Sequence, residues 1–192
     1  MWNKTVQGIP DELFIRGDVP MTKSEVRAIT LSKLQLERDS LVLDIGCGTG
    51  SVSIECGLRA SEGWITAVDQ KEEAIHLTQE NGKRFQVKNI TTIQGKAPEI
   101  LPKENFDRIF LGGGSKDLEH IIGYAKAYLN PEGIFVANTI LLNSSYEILQ
   151  LLKKNNFKNI NCIQVQLSRG YDHKVGWMMK GLNPIYIISA EQ

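Results

Sequence analysis

Cysteine is scarce in this chain, and its three thiols, Cys47, Cys56 and Cys162, form neither a CxxC pair nor an even set. That spacing argues against a disulfide framework and leaves reduced, buried thiols in an intracellular protein as the expectation. No apolar run approaches the ~18 residues of a membrane-spanning helix, and Met-Trp-Asn-Lys is not the start of a signal peptide. A soluble, cytoplasmic protein is expected, with no membrane partner. Net charge is missing too, because 22 basic side chains balance 22 acidic ones. No global field attracts a polyanion such as DNA, so any anionic partner must be held by a local cluster. Repeats, low-complexity tracts, metal-ligand clusters and Ser–His–Asp spacings are also absent. His76 and His120 fall on helix surfaces and read as solvated.

What is present suits an ordinary globular domain. A chain of 192 residues, 42% apolar and 23% charged, closes one substantial core, so residues 1–192 are expected to form a single domain. Thr22-Lys-Ser-Glu25 matches a capping box, and Val26, Ile29 and Leu34 mark one face of the helix that follows. Strand-like apolar runs then alternate with helical patterns. Residues 40–46, 64–69, 90–95, 106–113 and 134–140 read as strands, and 51–60, 72–85 and 118–129 as helices. Asn130-Pro-Glu-Gly133 reads as a turn, and Ser144-Ser-Tyr-Glu147 as a second capping box. The rhythm breaks at the end: 159–169 and 183–190 are strand-like with no helix between them, which predicts an antiparallel hairpin with a long tip from Gly170 to Leu182. The fold class is therefore α/β, a doubly wound, mostly parallel sheet ending in an antiparallel hairpin. Ligands of such sheets bind beyond the carboxyl ends of the strands.

The strongest motif is Val42-Leu-Asp-Ile-Gly-Cys-Gly-Thr-Gly50, with glycines between a strand and a helix. Glycines 46, 48 and 50 let the backbone turn tightly and approach a ligand closely, and the helix start offers amides to an anion. Asp69 ends the next strand, where a carboxylate accepts hydrogen bonds from ribose hydroxyls. Two cofactors are open. A dinucleotide fingerprint needs a third glycine where Ser51 stands. Asp44 followed by G-x-G-x-G instead resembles the motif of class I S-adenosylmethionine-dependent methyltransferases, a Rossmann-like fold of seven strands in which the seventh is inserted between the fifth and sixth. That resemblance implies cofactor contacts from Asp44, Gly46, Cys47, Gly48, Thr49, Gly50 and Asp69. Gly95-Lys-Ala97 follows the third strand, where that fold contacts adenine, and an ordinary turn is the competing account. The Asn-Pro-Pro-aromatic motif of amino-methylating members is absent. In its place stands Gly112-Gly113-Gly114, which permits close approach of a bulky or flat substrate.

GIPDELFIRGDVPMTKSEVRA, LDIGCGTGSVSIE, GKAPEIL, LGGGS and TILLNS together resemble the cobalt-precorrin-6B C15-methyltransferase (decarboxylating) family of anaerobic cobalamin biosynthesis, across essentially the whole chain. The resemblance implies S-adenosylmethionine as cofactor, a polycarboxylated cobalt tetrapyrrole as substrate, and a homotetramer. By matching motif, Thr22, the loop Gly46–Gly50, Asp69 and Ala97 would touch the cofactor. Such a substrate must be gripped by its carboxylates, a role suited to Arg forks and Lys point charges. Arg16, Lys23 and Arg27 form one candidate cluster. Arg169, His173, Lys174 and Lys180, interleaved with Tyr171, Trp177, Met178 and Met179, form another, and Gly112, Gly113 and Lys116 could join either. Solvated surface charge is the plainer account of each. No catalytic side chain and no metal ligand is assigned. Competing functions are another small-molecule or isoaspartyl-type carboxyl methyltransferase, and a non-catalytic S-adenosylmethionine-binding module. Asp69→Ala is expected to weaken cofactor binding by about 1–3 kcal/mol in calorimetry, and unchanged affinity would remove Asp69 from the site.

Overall fold

In the computed structural model, which describes residues 6–113 and 117–192, the alternation becomes a seven-stranded sheet covered on both faces. Its central strands are the buried apolar runs: β1 (Leu41–Ile45), β2 (Trp64–Asp69), β4 (Phe106–Gly112) and β5 (Leu129–Thr139). With β3 (Ile90–Gln94), β6 (Lys158–Val165) and β9 (Ile185–Glu191), the spatial order is β3-β2-β1-β4-β5-β9-β6. Neighbours from β3 to β5 pair in parallel, while β9 runs antiparallel to both β5 and β6, the insertion expected from the methyltransferase resemblance.

Alternation along each strand sends side chains to two cores. Val42, Ile65, Phe110, Val136 and Ile187 pack under α1 (Ser24–Leu34) and α2 (Ser51–Arg59), with α3 (Glu72–Phe85) beside α2. Leu43, Ile109, Leu111, Phe135 and Ile188 pack under α4 (Leu118–Tyr128) and α5 (Leu142–Lys154). Both strand faces are buried, which is why the central strands read as continuous apolar runs. No helix among the described residues is long and apolar enough to cross a membrane.

Several local expectations are corrected. The long tip is itself a two-stranded ribbon, β7 (Ser168–His173) with β8 (Gly176–Gly181), exposed along its whole length. The turn at 130–133 lies within β5 as an irregularity, with Glu132 at φ 65° and a shift of register opposite Phe106–Arg108. Neither capping box forms. α5 begins at Leu142, so Ser144 is already inside it, and Ser145 bonds back to the Leu141 carbonyl at 2.9 Å. At α1 the Ser24 amide donates to Asp11 Oδ1 at 2.9 Å, so a distant carboxylate caps the helix in place of Thr22. Cys162 is exposed, on the outermost strand β6.

Residues 8–23 form a strap with little regular structure, held down by side chains. Glu55 of α2 accepts the amides of Gly8 and Ile9 at 2.8 and 2.9 Å, and Glu73 of α3 accepts that of Asp18 at 2.7 Å. Arg27 is wholly buried beneath the strap. Its guanidinium donates to Glu55 Oε1 at 2.5 Å and to the Thr22 and Ile9 carbonyls, lies 3.5 Å from Asp11, and stacks 4.8 Å over the Phe14 ring. Full burial and complete pairing remove Arg27 from the candidate substrate grips. Arg27→Ala is expected to cost about 3–5 kcal/mol in urea denaturation, since it strands two buried carboxylates, and a loss below about 1 kcal/mol would refute this role.

Candidate active site

The carboxyl ends of β1, β2, β4 and β5 converge on the glycine loop. Gly46 and Cys47 both donate to the Val68 carbonyl, at 2.8 and 3.0 Å, which bends the chain sharply off β1. Gly46 has φ 81°, and a Cβ there would stand 2.5 Å from the Gly112 carbonyl oxygen. A Cβ on Gly112 would stand 2.7 Å from the Gly46 oxygen. The ends of β1 and β4 thus meet backbone to backbone, a contact that excludes any side chain at either position. The strap reaches the same loop, since a Cβ on Gly48 would lie 2.8 Å from the Pro20 oxygen.

Asp69 is held by the backbone on both oxygens: Oδ2 accepts the Gly48 amide at 3.0 Å and Oδ1 the Lys71 amide at 2.9 Å. Each oxygen keeps acceptor capacity, which suits a diol. Asp44 is fully buried below the loop. Its Oδ2 accepts the Ser53 hydroxyl, whereas among the described residues Oδ1 has no partner, and the buried Thr49 hydroxyl has none either. Burial, with the Asp69 charge adding, pushes the Asp44 carboxyl up to about 7, against the pull of the Ser53 hydrogen bond. A buried carboxylate and a diol acceptor beside a glycine-rich loop fit the ammonium and ribose of S-adenosylmethionine.

Cys47 turns its thiol onto Thr78 Oγ1 at 3.3 Å, and burial pushes that thiol up, so it supplies no thiolate. Gly95 donates to the Asp69 carbonyl at 2.9 Å, which joins the β3 end to the same rim. Ala97 packs against the core near it.

On the other side of the loop, Gly113 is exposed with open space where a Cβ would be. Gly114 and Lys116 lie outside the described residues. Asn138, at the end of β5 opposite Gly112, was missed by the sequence reading. Its Nδ2 donates to Thr30 Oγ1 at 2.8 Å. Thr30 spends its own proton on the Val26 carbonyl, which fixes the amide's orientation and leaves the buried Oδ1 without a partner among the described residues. The available signal was a polar Asn-Thr pair closing an apolar strand. Of the candidate grips, Arg169 lies 2.9 Å from Glu25 and 3.5 Å from Asp11, and Lys23 is 3.9 Å from Asp11, so these two gather beside the strap. Arg16 is exposed on the strap, while Lys174 stands beside the ribbon turn, apart from them. Among the described residues no group of three or more His, Cys, Asp or Glu could hold a metal ion.

A family model described as a precorrin methyltransferase domain matches residues 12–187. A curated relative from Saccharolobus solfataricus, named as a probable cobalt-precorrin-6B C(15)-methyltransferase (decarboxylating), is 43% identical, covering 100% of this chain and 98% of its own length. Two solved structures are similar throughout. A precorrin-6Y C5,15-methyltransferase from Geobacter metallireducens superposes with TM-score 0.91 at 33% identity, over 98% of this chain and 100% of that one. A precorrin-8W decarboxylase from Methanobacterium thermoautotrophicum gives 0.89 at 32%, over 95% and 98%.

The elevated Asp44 makes stability depend on pH. An unfolded aspartate loses its proton near 3.8, whereas the folded protein retains this one to about 7. Between those values the folded state binds more protons, so the Asp44 contribution to stability is lost as pH rises through that window. Asp44→Asn is expected to abolish this decline in urea titrations at about pH 5 and about pH 8, and parallel pH dependence in both proteins would overturn it.

Proposed function

The chain belongs to the precorrin methyltransferase family, and on that premise we propose that it methylates C15 of cobalt-precorrin-6B and releases the C12 acetate carboxyl as CO2, giving cobalt-precorrin-7 in cobalamin biosynthesis. The observation that carries this reading is the family match across residues 12–187, centred on a glycine loop with Asp44 beneath it and Asp69 beside it. S-adenosylmethionine, when bound, supplies an electrophilic methyl group on a sulfonium.

The protein's part is to bind and orient. Thr22, the loop from Gly46 to Gly50, Asp69 and the Gly95–Ala97 segment hold the cofactor, with Asp44 balancing its ammonium. Exposed Gly113, beside Gly112, leaves room for a flat macrocycle to approach, and Arg169, Lys23, Arg16 and Lys174 are the candidate grips for its carboxylates. The enamine-like ring carbon is already a nucleophile, so alignment at close range supplies much of the acceleration and no dedicated base is required. In decarboxylation the C–C bond breaks toward the conjugated ring, which accepts the electron pair, and a proton then restores the arm as a methyl group. The protein works in the cytoplasm, without nucleic acid, as a homotetramer; the exposed Trp177 and Met179 of the ribbon support apolar contact between subunits. Incubation with S-adenosylmethionine and cobalt-precorrin-6B, followed by mass spectrometry, is expected to show one methyl gained and one CO2 lost. A substrate unchanged in mass would overturn the assignment.

A further inference from the structure

Asn81 lies on α3, outside every motif that marks the site, yet its carboxamide joins two segments that border it. The residue is fully buried. Its Oδ1 accepts the Ile15 amide at 2.8 Å, and its Nδ2 donates to the Ile15 carbonyl at 3.0 Å and to the Thr49 carbonyl at 2.9 Å. Ile15 belongs to the strap and Thr49 to the glycine loop. The Ile15 N–H needs an acceptor and the two carbonyls need donors, so the amide has a single orientation. Two residues after Thr49, α2 begins, and the Thr49 hydroxyl is itself buried, without a partner among the described residues.

A loop with glycine at positions 46, 48 and 50 has few side chains with which to fix its own shape, and glycine carries the largest entropic cost of ordering. If that cost falls at the moment of binding, affinity suffers; if the folded protein has already met it, affinity is gained. We propose that Asn81 is a positioning residue for the cofactor, tying strap and loop into one preorganised wall. The proposal rests on the S-adenosylmethionine reading above. Asn81 touches neither cofactor nor substrate in this scheme and acts through the backbone of Ile15 and Thr49.

The near-isosteric Asn81→Asp variant tests it. Protonated, the new carboxyl accepts from the Ile15 amide and donates to one carbonyl. Ionised, it faces two carbonyl oxygens with no proton to offer, and the wall loosens. Asp44 and Asp69 border the loop, Cys47 lies within it and Glu73 holds the strap at Asp18, so the wild type has a pH profile of its own and the ratio of the two proteins is the readout. Calorimetric binding of S-adenosylhomocysteine, with folding verified by circular dichroism, is expected to match wild type within a few-fold at about pH 5 and to weaken by about tenfold or more at about pH 8. A flat ratio in folded protein would reduce Asn81 to a structural role and overturn the proposal. Hydrogen exchange on the wild type gives a second measurement that needs no variant: the ligand is expected to slow exchange at the Ile15 amide together with the loop amides. Protection of the loop without Ile15 would also overturn it. A wild type that binds no S-adenosylhomocysteine would instead defeat the cofactor reading on which the proposal stands.

Discussion

A guanidinium sealed away from water must have its donors matched by acceptors, since an unpaired charge there costs several kcal/mol. Arg27 meets that condition with two carboxylates, two carbonyls and an aromatic face. Those partners are five residues, Ile9, Asp11, Phe14 and Thr22 of the strap and Glu55 of α2, so satisfying one side chain sets the path of the strap. Glu55 is turned upward by Arg27 and can then receive the first strap amides. Asp11 is pulled inward and becomes the cap of α1. The Thr22 carbonyl is drawn down, which presents Pro20 to the glycine loop. From Asp11 the chain of charge continues outward to Arg169, at the base of the ribbon. The glycine-loop side of the molecule is thus organised around a charge that never meets solvent.

This arrangement separates two tasks. The wall built from loop, strap and Asp69 is tightly bonded and rigid, as a site must be when geometry supplies most of the rate. The β4 end, by contrast, closes on two glycines, Gly112 packed on Gly46 and Gly113 exposed. Cys47 in the loop and Cys56 in the core beneath α2 are both buried, and burial disfavours the thiolate of each.

The central architecture was legible because buried parallel strands and amphipathic helices impose their periods on neighbouring residues. β2 and α3 fall where the apolar pattern places them, and the glycine loop was readable because a backbone-to-backbone contact admits one residue type. What stayed hidden depends on distant partners. Thr22 and Glu25 have the spacing of a local cap, but Asp11 reaches the Ser24 amide from another turn of chain. Arg27 resembles any basic residue on a helix until Glu55 is seen beneath it. Asn81 carried no signal, because its three partners are all main-chain atoms, which look the same in every sequence.

The position of β9 also bears on how the sheet is assembled. β6 is synthesised before β9 but lies outside it, so it has no place in the sheet until the ribbon and β9 have followed. Both cores depend on β9 for their closure: seated between β5 and β6, it places Ile187 in one core and Ile188 in the other.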